Sequence, residues 1–368
     1  MTEPDDGADW HNKVPLSEGH YTVRGRGPPQ MVCCEAMSRG TGRSLPKSRG
    51  RRLIKGLLLA GAAVGVPVLT AALLRRRVEP PAPPRWGRTH RFAGRSGEVV
   101  FQELGNGSPV LLLHSFGPGY GAGQWRAAAE ILGESHRVYV PDLPGWGRTS
   151  GPAGEQRPER YLELIEDFLA GAVREKAVIV AAGLAAAYAV RTALDHPGSL
   201  QALALVSPLG LGEDGDDPAC AAGGSFLARL AGLPLASALV LDLLTARTAL
   251  EHHLRREVYA APERVDAALL EQHYRASHTR EARAALAAYL AGQLRLDVSG
   301  ELSRLRTPVW LAWGRQSKLP PVENADLWLH RLPQPEIDVF EGAGALPHAE
   351  TPALFCRALE RFLAKLAG

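Results

Sequence analysis

From residue 88 onward the chain alternates two kinds of apolar pattern. Short, mostly unbroken runs at 110–114, 138–142, 177–181, 202–206, 309–313 and 337–340 predict strands buried on both faces. Between them, stretches at 124–132, 159–173, 184–195, 322–332 and 352–366 repeat apolar residues at helical spacing, which predicts amphipathic helices. Strands alternating with helices in this way predict an α/β class with a mostly parallel sheet and helices on both faces. Ahead of the first buried run, 88–93 and 98–104 alternate in polarity around Gly94, Arg95, Ser96 and Gly97, the pattern of a hairpin. Residues 213–300 break the rhythm. They are rich in Ala and Leu and poor in strand patterns, and predict a helical insertion.

The first quarter of the chain reads differently. Residues 1–52 are rich in Gly, Pro, Ser and charge, without apolar periodicity, and predict a disordered basic tail in which Met37 is a second candidate start. From Gly56 to Leu74 there is no charged residue. A helix of that length, rising about 1.5 Å per residue, just spans a bilayer core of about 30 Å. A soluble core helix would need a partner surface, yet a Pro-rich linker at 78–87 follows. A cleaved signal peptide is opposed by Arg75, Arg76 and Arg77 directly behind the apolar run. Residues 53–77 therefore predict a single-pass anchor and a membrane localisation. Its orientation stays open, because Arg49, Arg51, Arg52 and Lys55 make the other flank equally basic. The expected organisation is tail 1–52, anchor 53–77, linker 78–87, first core part 88–212, helical insertion 213–300 and second core part 301–368.

Composition adds exclusions. A net charge of +3 on 368 residues, with 22% charged and 45% hydrophobic, is that of a globular protein and argues against a nucleic-acid partner. Cys33, Cys34, Cys220 and Cys356 have neither a disulfide-framework nor a zinc spacing. His252 and His253 have only Glu257 at helical ligand spacing, so neither a metal nor any other cofactor is implied.

Several short motifs stand in a telling order: VLLLHSFG at 110–117, VPDLPGWGRTS at 140–150, TPVWLAWG at 307–314 and GAGALPH at 342–348, followed by Glu350, Pro352 and Phe355. In this order and spacing the chain resembles the α/β-hydrolase family over roughly 88–368. With its anchor, hairpin, Gln124 and Trp125 it is similar to a membrane-anchored bacterial subgroup of that fold. The resemblance implies that 213–300 is a cap roofing a pocket. It also implies that His114, Ser115 and Phe116 form the oxyanion loop, with backbone N–H donors at Phe116 and Leu184.

At the three catalytic positions the chain departs from the family. The nucleophile elbow reads Ala181, Ala182, Gly183, Leu184, Ala185, so its small neighbours are kept while glycine stands at the serine position. No Ser, Cys, Asp or Thr lies between Glu175 and Arg191 to rescue a shifted alignment. The acid position holds Ser317, which carries no charge to stabilise an imidazolium. An acid after the preceding strand would fall near Ser207 and Pro208, where the next carboxylate is Glu213. The base position holds Ala345, with His348 three residues on. His348 is either a structural histidine or, with Ser115 or a bound water, part of a rebuilt site. His114 is expected to be structural. These readings predict a pseudoenzyme that binds a small apolar ligand or a partner protein. The alternative is an active hydrolase acting on an ester-like or other small apolar substrate through a rearranged site.

Overall fold

In the computed structural model, which describes residues 78–79, 81–149, 156–212 and 234–367, the apolar runs become one eight-stranded sheet. The strands are β1 Arg88–Gly94, β2 Gly97–Leu104, β3 Ser108–Leu113, β4 His136–Pro141, β5 Ala177–Ala182, β6 Leu200–Val206, β7 Val309–Gly314 and β8 Glu336–Phe340. Their order is β1-β2-β4-β3-β5-β6-β7-β8. β1 and β2 form the expected hairpin, β2 joins β4 antiparallel, and β4 through β8 run parallel. Successive side chains of the inner strands divide between two cores. Leu111, Ile179, Leu203, Leu205 and Trp313 enter one, whereas Val110, Leu112, Val178, Val180 and Trp310 enter the other. Two-sided burial is why these strands read as unbroken apolar runs rather than alternating ones.

The helices are α1 Arg126–Leu132, α2 Pro158–Phe168, α3 Ala185–Asp195, α4 Pro234–Leu244, α5 Arg247–His253, α6 Ala267–Ser277, α7 Arg280–Leu290, α8 Ala325–Leu329, α9 Pro347–Glu350 and α10 Pro352–Ala367. α2, α3 and α8 cover the first core and α1 and α10 the second. Two helices are shorter than their patterns predict. The pattern at 159–173 stops being α-helical at Phe168 and finishes as a wider turn, Leu169–Val173. There Gly171 accepts the Phe92 ring so closely that a Cβ would lie 2.6 Å from it. The pattern at 322–332 opens with a tight turn, Val322–Asn324, before α8.

The described part of the insertion is helical, as expected. α4 to α7 lie between β6 and β7. The last two begin at side-chain caps, where Asp266 accepts from the Leu269 N–H and Thr279 from the Ala282 N–H. The expected anchor at 53–77, the tail, Cys33, Cys34, Cys220 and Glu213 lie outside the described residues. Among the described residues, no helix is long and apolar enough to cross a membrane.

Candidate functional site

The loops that carry the family's chemical motifs leave the carboxyl ends of β3, β4, β5, β7 and β8, where open α/β sheets place ligands. At the end of β5 the chain turns sharply through Gly183, with φ at 55°, and enters α3 two residues later. The Gly183 N–H donates to Val206 O at 2.9 Å, and its carbonyl accepts from Ala186 and Leu209. The elbow is therefore fully formed, and glycine is the residue that adopts it without strain.

What faces Gly183 is Ser115. A Cβ built on Gly183 would lie 2.1 Å from Ser115 Oγ and 3.1 Å from Ser115 Cβ. The volume into which an elbow side chain would project already holds the hydroxyl of the opposite loop. That loop is held from behind. The Leu143 N–H donates to His114 Nε2 at 3.0 Å, which leaves the imidazole proton on Nδ1 to be donated to Ser115 O at 2.7 Å. Burial holds the His114 pKa below its ordinary value. In this geometry His114 holds the loop from behind. Ser115 donates its N–H to Gln124 Oε1 at 3.2 Å. Among the described residues the N–H groups of Phe116 and Leu184 donate to no protein acceptor.

The acid and base positions hold other contacts. Ser317 donates its hydroxyl to Pro320 O at 2.6 Å, closing its own turn. Ala345 donates its N–H to Val258 O of the insertion at 2.9 Å. The buried Glu350 accepts from Gly344 at 2.6 Å, Ala260 at 2.8 Å and Ala261 at 3.3 Å. The backbone that would present a catalytic histidine is therefore stitched to the segment 258–261 of the cap.

His348, weighed as a displaced base, does not border the cavity beneath the cap. It is fully buried and stacks on Trp125 with ring centroids 3.7 Å apart. Burial pushes its pKa down to about 3. Neither ring nitrogen has a partner among the described residues. The pairing of His348 with Ser115 is not made in this geometry, since His348 is enclosed against Trp125 while Ser115 borders the cavity.

Between the elbow and the cap lies a cavity of about 620 Å³. Its floor is Ser115, Phe116, Gly183 and Ser207, and Leu209, Leu286, Tyr289 and Leu290 add apolar wall. Ala345, at the base position, also borders it. The sequence model of the Alpha/beta hydrolase family matches residues 110–358. The chain belongs to the alpha/beta hydrolase family.

Within the family it is 26% identical over 282 residues to an uncharacterized protein of Mycobacterium tuberculosis, covering 72% of this chain and 77% of that one. It is 28% identical over 270 residues to a pimeloyl-[acyl-carrier protein] methyl ester esterase of Aeromonas hydrophila, covering 72% and 99%. Among solved structures it resembles an esterase from Thermogutta terrifontis, with a TM-score of 0.62, 22% identity and coverage of 76% and 99%. It also resembles a membrane phospholipase A, with a TM-score of 0.60, 20% identity and coverage of 86% and 99%. At these identities the two structures show a shared fold.

Some residues of this alpha/beta hydrolase site were not legible as site residues. Ser207, at the end of β6, has φ at 42° and a buried hydroxyl with no partner among the described residues. Tyr120 borders the cavity without belonging to any family motif. His253 and Glu257 were visible as an i, i+4 pair but were weighed only as metal ligands. In the fold they are joined, His253 Nδ1 to Glu257 Oε2 at 2.6 Å.

Proposed function

We propose that this chain is a membrane-anchored member of the alpha/beta hydrolase family that binds a small apolar ligand beneath its cap and has no serine-hydrolase activity. One observation carries this reading: the hydroxyl of Ser115 occupies the space that a nucleophile on Gly183 would need, while the cavity in front of it persists. Losing a single triad member costs on the order of 10⁴ to 10⁶ in rate. Here all three positions are substituted, and the histidine nearest in sequence to the base position is sealed away on Trp125. A cavity of about 620 Å³, mostly apolar with a few convergent polar groups, is the form of a small-molecule site. The run 56–74 supplies the anchor in this reading.

The competing reading is a hydrolase acting on an ester-like or other small apolar substrate through a rearranged site. It draws on the Ser115 hydroxyl and on the free N–H groups of Phe116 and Leu184, which together resemble an oxyanion hole. Exposure of the full chain to a fluorophosphonate probe and a panel of acyl esters separates the two. No labelling and no turnover are expected. Labelling of Ser115, or turnover lost on Ser115→Ala, overturns the binding-only reading.

A further inference from the structure

The cavity has a second polar point, away from the substituted triad, where the core meets the cap. Tyr120, on the loop after β3, faces His253 at the end of α5, with Oη and Nε2 3.5 Å apart. That separation is too long for a sound hydrogen bond. It is the contact that each of these two atoms makes among the described residues. Both residues border the cavity. Tyr120 is buried, and burial with Tyr259 and Glu257 nearby raises its pKa, so the phenol keeps its proton and donates.

Glu257 decides what His253 offers. A carboxylate only accepts, so the 2.6 Å bond from Nδ1 places the imidazole proton on that side. In the tautomer with its proton on Nδ1, Nε2 carries the lone pair and is an acceptor at the cavity border. Side by side stand one donor, the Tyr120 hydroxyl, and one acceptor, His253 Nε2.

We propose that this pair is the recognition point for a hydroxyl group on an otherwise apolar ligand. A hydroxyl accepts from Tyr120 and donates to His253, completing both groups at once. An ether oxygen has no proton for Nε2. A carboxylate has none either, and it meets the charge of Glu257. The proposal rests on the ligand-cavity reading and names the ligand class for it.

Calorimetric titration of the full chain with 1-octanol, its isostere heptyl methyl ether, and octanoate tests both levels. The alcohol is expected to bind about tenfold more tightly than the ether, the factor that one hydrogen bond of ~1.4 kcal/mol supplies. Octanoate is expected to bind more weakly than the alcohol. His253→Phe is expected to bring alcohol and ether within about twofold of one another, with ether affinity unchanged as the sign of an intact cavity, whereas Tyr120→Phe is expected to weaken both by a similar factor, because both oxygens accept from it. Equal binding of alcohol and ether by the unmodified chain overturns the hydroxyl site and leaves the cavity reading standing. A preference for octanoate, or an alcohol preference that survives His253→Phe, also overturns it. No binding of any of the three compounds overturns both readings.

Discussion

Restoring the nucleophile alone is expected to harm the fold. In Gly183→Ser the new Cβ would lie 2.1 Å from Ser115 Oγ and 3.1 Å from Ser115 Cβ. Turning the Ser115 hydroxyl away relieves the first conflict but not the second, because Cβ does not move with the side-chain torsion. Overpacking of this kind costs about 1–3 kcal/mol. The φ of 55° at the elbow adds a conformational cost for any residue with a Cβ, of roughly 1–2 kcal/mol. Gly183→Ser is therefore expected to lower the unfolding free energy by about 2–5 kcal/mol. Ser115→Gly alone is expected to cost about 1 kcal/mol or less, mostly through added freedom of the unfolded chain. With both changes the steric part vanishes, so the cycle should show a favourable coupling of about 1–3 kcal/mol. Urea unfolding of the full chain and its three variants, followed by tryptophan fluorescence, measures that coupling. Additivity within about 0.5 kcal/mol would show that Ser115 does not occupy the elbow's side-chain space, and the reasoning from the Gly183 contact would fail.

Three further outcomes follow from the same geometry. Because burial lowers the His348 pKa to about 3 in the fold, the unfolded chain binds the extra proton between about pH 6.5 and 3. This group's contribution is fully present above pH 6.5 and is lost as pH falls, by at most about 5 kcal/mol at pH 3. Urea midpoints across that range should fall less steeply for His348→Phe than for the unmodified chain, and parallel slopes would refute it. Glu350→Ala strips the acceptor from the N–H groups of Gly344, Ala260 and Ala261, so hydrogen exchange at those amides should accelerate. The loss in stability should be about 2–5 kcal/mol, and unchanged exchange at Ala260 would separate Glu350 from cap docking. Gln124→Ala removes the acceptor of the Ser115 N–H and is expected to cost about 1–3 kcal/mol, with an unchanged urea midpoint counting against that bond.

Much of this was legible from the chain alone, for a definite reason. Strands buried on both faces advertise themselves as apolar runs, and β3 to β8 fell close to the expected segments. The elbow was legible too, since Ala181 and Ala185 bracket a residue that must take a positive φ. Contacts between distant segments were not. The stacking of His348 on Trp125 joins residues more than two hundred positions apart, so the motif around 342–348 left a structural and a chemical histidine as alternatives. Gly183 is visible in the sequence as a departure from the family pattern, but only the fold shows that Ser115 fills the volume in front of it. Tyr120 had no motif to mark it, because its partner belongs to the cap.

In the proposed reading the residues at the three triad positions are engaged in three different ways. At the elbow the Ser115 hydroxyl faces the cavity from the loop opposite Gly183. At the acid position the Ser317 hydroxyl closes its own turn. At the base position the backbone of Gly344 and Ala345 has become part of the dock for cap residues 258–261. The loop at 342–348 is fastened to residues 258–261, and the Phe116 and Leu184 N–H groups, which meet no protein acceptor among the described residues, belong to residues that bound the cavity floor or adjoin it. In the proposed reading, these contacts serve to hold a ligand under the cap.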